Sequence, residues 1–186
     1  MTQDVKEILV SEEEINRIVD RISSQINADF RDSDRVTVLV CILKGSLMFT
    51  CELMKKLTIP TELEFMKVSS YGAGTVSSGD IALQLDVTRN DLDKVNLIVI
   101  EDIIDSGRTL SHLIEHLRKK GADRIKVCTL FDKPDRRVTD LVPDYCGKII
   151  PDEFIVGFGL DYNEQYRNLS FVGVLKPEIY SGDTAK

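Results

Sequence analysis

The chain has 186 residues, of which 42% are hydrophobic and 30% charged, which is typical of a globular protein rather than a disordered or fibrous one. Its formal net charge of −7 argues against a nucleic-acid-binding surface, because phosphate neutralisation needs clustered Lys and Arg. No apolar run approaches the roughly 20 residues that span a bilayer, and the acidic N-terminus lacks a signal-peptide pattern. We therefore expect a cytoplasmic protein without nucleic-acid or membrane partners, folded as a single domain over residues 1–186.

The first half of the chain predicts helices alternating with strands. Ser11 to Glu14 fits the Ser-x-x-Glu capping box and opens a helix with a one-sided apolar stripe. Lys44-Gly45-Ser46 ends a β-branched run that is typical of a strand buried on both faces, and a helical stretch follows to about Leu57. Ser69 to Asp80 offers little to bury, so we expect a mobile loop or hairpin tip. The strands expected in this half are Val36–Ile42, Thr61–Val68 and Ala82–Val87.

The second half continues the alternation. Val95–Ile100 is the strongest strand pattern in the chain, and Leu110 to Leu117 marks a helix at 3.6-residue spacing. Further strands are expected over Ile125–Phe131, Phe154–Phe158 and Phe171–Val174. This order predicts an α/β fold, with a mainly parallel twisted sheet flanked by helices. We interpret the irregular stretch from Asp132 to Glu153 as part of a small loop-rich hood, formed by the N-terminal segment and about residues 132–186.

The segment Glu101–Thr109 directly follows the strongest strand and leads into a helix. In open α/β sheets, ligands bind beyond the carboxyl ends of the strands. Gly107 permits a tight turn, and the free N–H groups at the start of a helix favour an anion. Ser106 and Thr109 can add hydroxyl donors. The second half of this segment therefore predicts a phosphate-binding loop.

The same segment carries three acids, which are Glu101, Asp102 and Asp105. They would repel a bare phosphate, but they suit a ligand that also carries hydroxyl groups or a bound Mg²⁺. Capping a helix needs only one such residue, so capping alone does not explain all three. A ribose 5-phosphate fits both halves of the segment, with its phosphate on the helix start and its hydroxyls on the acids.

The stretch Val99–Leu110 resembles the phosphoribosyl pyrophosphate signature of the type I phosphoribosyltransferases. Within that family the likeness is to the hypoxanthine-guanine members, and it runs from about Ile8 to Leu175. The resemblance implies the type I phosphoribosyltransferase fold and a role in purine salvage. The implied reaction transfers the 5-phosphoribosyl group from phosphoribosyl pyrophosphate to hypoxanthine or guanine, giving IMP or GMP and pyrophosphate. It also implies Mg²⁺ as cofactor and a homodimer or homotetramer.

The resemblance assigns roles to individual positions. Phosphoribosyl pyrophosphate would be bound by Lys44, Gly45, Glu101, Asp102, Asp105, Ser106, Gly107, Arg108, Thr109 and Arg167. Asp105 would also be the general base that takes the proton from N7 of the purine. The purine would contact Lys133 through its 6-oxo group, stack on Phe154 and meet backbone groups at Ile155. Asp161, Glu101 and Asp102 would bind magnesium, and Ser70 and Tyr71 would open a flexible loop that closes over the site.

Two readings from other classes stay open at this point. His112-Leu113-Ile114-Glu115-His116 fits the His-x-x-Glu-His pattern of inverted zinc peptidases, although no separate third ligand is identifiable. A phosphoribosyltransferase-like regulator that binds RNA would keep the nucleotide loop as a sensor. The acidic balance of the chain speaks against that regulator.

Overall fold

The computed structural model describes residues 1–69 and 82–181, so the predicted loop opening at Ser70 and Tyr71 lies outside the described residues. The strands are β1 (Val5–Val10), β2 (Thr37–Leu43), β3 (Thr61–Ser69), β4 (Ala82–Leu85), β5 (Asn96–Ile104), β6 (Ile125–Asp132), β7 (Tyr145–Ile149), β8 (Ile155–Val156) and β9 (Val172–Leu175). The α-helices are α1 (Glu12–Phe30), α2 (Leu47–Met54), α3 (Arg108–Lys119) and α4 (Pro177–Tyr180). Short 3-10 helices cover Thr2–Asp4, Leu92–Lys94 and Pro134–Arg136.

A six-stranded sheet forms the centre of the fold, in the order β4-β3-β2-β5-β6-β7. Its strand pairs are parallel except for β3 and β4, which are antiparallel. The α/β prediction is therefore confirmed. The predicted helix start at Ser11 is confirmed as well, because the N–H of Glu14 donates to Oγ of Ser11 over 3.2 Å at the start of α1, whereas the Glu14 side chain pairs with Lys148.

Two apolar clusters cover the two faces of this sheet. Alternate residues of the central strands point to opposite sides: Leu39 and Ile98 join the cluster with α1 and α2, whereas Val38 and Leu97 join the cluster with α3. Each central strand therefore buries both of its faces, which explains its continuous apolar sequence. Burying one such side chain stabilises the fold by about 1.5–3 kcal/mol.

A second, three-stranded sheet in the order β1-β9-β8 joins the N-terminal segment to the C-terminal region. Its strands pair antiparallel. We did not predict β1. Its residues are exposed or half-buried except for Val10, so its sequence carries no continuous apolar pattern. Among the described residues, no helix combines the length and the apolar character that crossing a membrane requires.

The stretch from Asp132 to Glu153 was expected to be irregular, and this expectation is wrong for the residues that form β7. Tyr145–Ile149 extends the central sheet as its edge strand, parallel to β6. The sequence Tyr-Cys-Gly-Lys-Ile has neither alternation nor a β-branched run, so its pairing depends on β6 rather than on its own pattern. The hydroxyl of Tyr145 also donates to Asp29 of α1 over 2.6 Å, which holds the strand to that helix.

Candidate active site

The predicted site residues that the structure describes lie at or beside one edge of the central sheet. Strands β2, β5 and β6 are parallel neighbours, so their carboxyl ends meet at that edge. Lys44 follows β2, Asp105 follows β5 and Lys133 follows β6. Motifs that are far apart in the chain are thus brought together by the order of the strands.

The loop between β5 and α3 consists of Asp105, Ser106 and Gly107, and the helix begins at Arg108. Gly107 has a left-handed backbone with φ of 79°, and a Cβ at this position would lie 2.5 Å from Oγ1 of Thr139. Both the turn and the available space therefore require glycine. The loop brings the first N–H groups of α3 to the sheet edge, where a helix terminus favours an anion.

A cleft of about 290 Å³ opens beside this loop, and we call it the loop cleft. Its lining includes Glu101, Asp102, Asp105, Ser106, Gly107 and Thr109, together with Leu43 at the end of β2. The side chain of Arg108 is exposed and does not line this cleft. The structure thus brings together the predicted phosphate loop and the acids that precede it.

The turn at Lys44 and Gly45 packs directly against Asp102. A Cβ on Gly45 would collide with Oδ2 of Asp102, so only glycine fits here. The peptide bond between Leu43 and Lys44 is cis. This packing joins the end of β2 to the acidic end of β5.

Glu101 and Asp102 form an interacting pair of carboxyl groups at the end of β5. Burial raises the pKa of Glu101 well above its usual value, and the adjacent Asp102 carboxylate raises it further. Burial also raises the pKa of Asp102, although the N–H of Ile103 donates to its Oδ1 over 2.8 Å. Two partly desolvated acids side by side favour a ligand that supplies a cation or hydroxyl donors.

Two cationic side chains stand beside the Lys44 turn. Nζ of Lys44 lies 2.9 Å from Oε2 of Glu164. Nη2 of Arg167 lies 2.8 Å from Oδ1 of Asp161, and its Nη1 donates to the carbonyl of Gly159 over 2.7 Å. Nε of Arg167 is buried and has no hydrogen-bond partner among the described residues. Folded proteins rarely leave a buried donor of this kind without a partner.

A second cleft, of about 470 Å³, adjoins the first, and we call it the aromatic cleft. Its lining includes Ile103, Asp105, Lys133, Arg136, Asp152, Phe154, Ile155 and Tyr180. Ile103 and Asp105 line both clefts, so a ligand in one lies next to a ligand in the other. The three residues expected to contact a purine therefore lie in one cavity that shares Asp105 with the loop cleft.

Hydrogen bonds and ring contacts hold the polar and aromatic side chains that line this cleft. Nζ of Lys133 donates to the carbonyl of Glu153 over 2.8 Å, which directs the ammonium group along the cleft. The ring of Phe154 stacks on Tyr180, with centroids 4.8 Å apart and 19° between planes. Tyr162 meets the same ring edge-on at 5.6 Å. Phe154 is still 39% exposed, so part of its ring is free to contact a ligand.

Comparison with known proteins decides the family. The family model described as the phosphoribosyl transferase domain matches residues 6–163. The chain belongs to the phosphoribosyltransferase family. The resemblance carried by the Val99–Leu110 stretch is therefore confirmed.

Three relatives of this phosphoribosyltransferase are all named as hypoxanthine or hypoxanthine-guanine phosphoribosyltransferases. A hypoxanthine-guanine phosphoribosyltransferase of Streptococcus thermophilus is 47% identical over 97% of this chain and 99% of its own length. A crystal structure of a hypoxanthine phosphoribosyltransferase from Staphylococcus aureus is 42% identical, with a TM-score of 0.90, and covers 97% of this chain and 96% of its own. A hypoxanthine-guanine phosphoribosyltransferase structure from Bacillus anthracis is 41% identical with a TM-score of 0.85, over 92% of this chain and 99% of its own.

The zinc-hydrolase alternative finds no support in this phosphoribosyltransferase. Nε2 of His116 contacts Oδ2 of Asp86 at 2.9 Å. In the part of the chain that the structure describes, no three His, Cys, Asp or Glu residues are grouped as metal ligands would be. The RNA-binding alternative also finds no support, since the relatives named above are enzymes.

Sequence reasoning missed several residues that contact the predicted site. They are Arg136, Asp152, Glu164 and Tyr180. Each lies in a loop or short helix without a periodic pattern, and each reaches the site through a contact with a residue distant in sequence. The closeness of Arg136 to Lys133 along the chain is the one local signal that could have indicated it.

Proposed function

We propose that this phosphoribosyltransferase transfers the 5-phosphoribosyl group of phosphoribosyl pyrophosphate to N9 of hypoxanthine or guanine and releases pyrophosphate. The observation that carries the proposal is the pair of adjoining clefts that share Asp105. One cleft has the donors and acids that suit a phosphosugar, and the other has the cation and the aromatic face that suit a 6-oxopurine. The names of the relatives support the same substrates.

The loop cleft would bind the ribose 5-phosphate. The N–H groups at the start of α3 and the hydroxyls of Ser106 and Thr109 donate to the phosphate oxygens. Glu101 and Asp102 accept hydrogen bonds from the ribose hydroxyls. Their negative charge also stabilises the positive charge that builds on the ribose as the bond to pyrophosphate breaks.

Lys44, Gly45 and Arg167 would bind the pyrophosphate. The backbone at Gly45 approaches Asp102 at the acidic end of β5 closely, so its amide groups would lie near a ribose held by the acids. Arg167 would contribute its guanidinium, which can bind phosphate oxygens at more than one nitrogen. These donors stabilise the leaving group as its charge increases.

Magnesium fits the chemistry of the residues present. Glu101, Asp102 and Asp161 carry carboxylate oxygens, which Mg²⁺ prefers, but among the described residues they are not grouped as a preformed metal site, so substrate oxygens would complete the coordination. In phosphate sites Mg²⁺ is usually held by one or two carboxylates plus substrate oxygens. When bound, the ion neutralises charge on the pyrophosphate.

The aromatic cleft would hold the purine. The ammonium group of Lys133 donates to the 6-oxo group, the ring stacks on Phe154, and backbone groups at Ile155 contact its edge. Asp105 lines both clefts and would accept the proton from N7 while N9 attacks the anomeric carbon. Holding both substrates in fixed, adjoining clefts makes the reaction effectively unimolecular.

One assay tests this proposal. The purified protein is incubated with phosphoribosyl pyrophosphate, Mg²⁺ and one of hypoxanthine, guanine, xanthine or adenine, and nucleotide is quantified by chromatography. We expect IMP and GMP, no AMP, and no product when a chelator removes Mg²⁺. Absence of nucleotide with every base, despite magnesium-dependent binding of phosphoribosyl pyrophosphate, would remove purine transfer as the function.

A further inference from the structure

Arg136 contacts two carboxylates of the aromatic cleft at the same time. Its Nε lies 2.7 Å from Oδ1 of Asp105, and its Nη1 lies 3.1 Å from both carboxylate oxygens of Asp152. The planar guanidinium can do this because its nitrogens point in different fixed directions. Arg136, Asp105 and Asp152 all line the aromatic cleft, so this bridge forms part of its wall.

The main chain around Asp105 is already fixed by the residues that follow Arg136. Nε of Arg137 donates to the carbonyl of Asp105 over 3.1 Å, and the same guanidinium pairs with Asp132. The N–H of Val138 donates to the carbonyl of Ser106 over 3.0 Å. These contacts determine where the Asp105 backbone lies. They do not involve the Asp105 side chain, whose Oδ1 lies beside the Arg136 guanidinium.

Stability does not account for this ion pair. The side chain of Arg136 is 50% exposed and that of Asp105 is 47% exposed. Ion pairs at such exposure contribute little to the stability of a fold. Orientation accounts for it better, because a general base works only within hydrogen-bond reach and with the correct geometry.

We propose that Arg136 is a positioning residue for Asp105, which holds Oδ1 so that the other carboxylate oxygen faces the purine. The inference rests on the proposed function, since it requires Asp105 to accept the purine proton. Asp152 binds the other end of the guanidinium through Nη1 and so keeps the guanidinium beside Asp105. Arg136 therefore acts on the chemical step and not on the binding of phosphoribosyl pyrophosphate.

The test compares Arg136→Ala and Arg136→Lys with the wild-type protein in steady-state kinetics. We expect Arg136→Ala to lower kcat by about tenfold or more, while the KM for phosphoribosyl pyrophosphate changes by less than about twofold. Arg136→Lys keeps the charge but lacks the planar guanidinium that reaches both carboxylates. Its kcat should therefore lie between those of the wild-type protein and Arg136→Ala. Added guanidinium at millimolar concentration should restore part of the kcat of Arg136→Ala.

Arg124→Ala is the matched control. Arg124 is also 50% exposed and also pairs with an aspartate, Asp34 at 3.5 Å, but it lies before β6 at the opposite edge of the sheet. We expect unchanged kcat and no response to guanidinium. The inference is overturned if Arg136→Ala keeps its kcat within about twofold of wild type, or if its loss is not restored by guanidinium. A wild-type protein that forms no nucleotide contradicts the proposed function instead.

Discussion

Oε2 of Glu164 lies 2.9 Å from Nζ of Lys44 and 3.4 Å from Nη2 of Arg167. One carboxylate therefore contacts the side chains of both Lys44 and Arg167, and of these two we propose that the Arg167 side chain binds pyrophosphate. The hydrogen bond from Lys44 lowers the pKa of Glu164, so the group is ionised at neutral pH. We therefore expect pyrophosphate to compete with this carboxylate for Arg167.

We expect Glu164→Gln to bind pyrophosphate more tightly, by about threefold, because the competing charge is removed while the size of the side chain is kept. Product inhibition by pyrophosphate and calorimetric titration both measure this change. Weaker binding would mean that Glu164 helps to hold the anion rather than competing with it.

Glu115→Gln is the control for that prediction. Glu115 forms an equally short exposed pair, at 2.8 Å with Lys119, but on α3 and outside both clefts. Its substitution removes one negative charge away from the site and should leave inhibition by pyrophosphate unchanged. The comparison therefore separates a local effect at Glu164 from a general effect of net charge.

Tyr180 supports the ring on which we expect the purine to stack. Removing it in Tyr180→Ala should raise the KM for hypoxanthine by about two- to tenfold, the usual contribution of an aromatic pair, without changing the KM for phosphoribosyl pyrophosphate. Tyr180→Phe keeps the stack and should behave as wild type. Phe154→Ala should give a larger loss of the same kind. A lower KM for hypoxanthine in Tyr180→Ala would show instead that Tyr180 occupies the face of Phe154 on which the purine stacks.

The central sheet and the phosphate loop were predictable because their signals are local. Val95–Ile100 is apolar throughout, as a strand buried on both faces must be, and the segment Glu101–Thr109 carries its glycine, hydroxyls and acids without interruption. The structure lengthens β5 to Ile104, which moves Glu101 and Asp102 from the loop into the strand. Both residues still line the loop cleft beside Ser106 and Gly107, so the prediction that they lie close to the phosphate loop survives that shift.

Strands β1 and β7 were not predictable in the same way. Each lies at the edge of its sheet, and neither has the alternation or the β-branched run that a single-sequence pattern requires. The same applies to Arg136 and Glu164, whose contacts with Asp105 and Lys44 exist only after distant segments have packed together. Such contacts leave no periodic signal in the chain.

Asp105 is the residue on which we expect turnover to depend most. Asp105→Ala should lower kcat by about 10²- to 10⁴-fold, the range that general acid–base groups contribute, with an unchanged thermal unfolding midpoint. Asp135→Ala is a nearby control, since Asp135 is exposed and lines neither cleft. Unchanged kcat in Asp105→Ala would remove it as the base.

Asp86, directly after β4, connects that strand to α3. Its Oδ2 lies 2.9 Å from both Nε2 of His116 and Nζ of Lys120. Burial acts to raise the pKa of Asp86, but hydrogen bonds from Lys120 and His116 outweigh it and lower the pKa below its usual 3.8. A carboxyl group whose pKa is lowered by folding stabilises the folded state at any pH above its pKa in the unfolded chain. This contribution is lost as the pH falls through the pKa that the group has in the folded protein.

We therefore expect Asp86→Asn to lower the free energy of unfolding by about 1 kcal/mol at neutral pH. The deficit should shrink as the pH falls below 3.8, because the wild-type carboxyl group then takes up its proton and loses the same interaction. Urea titrations of both proteins at neutral pH and at several acidic pH values measure this difference. A deficit that stays constant through the acidic range would mean that the side chain stabilises the β4–α3 contact by its shape and not by its charge.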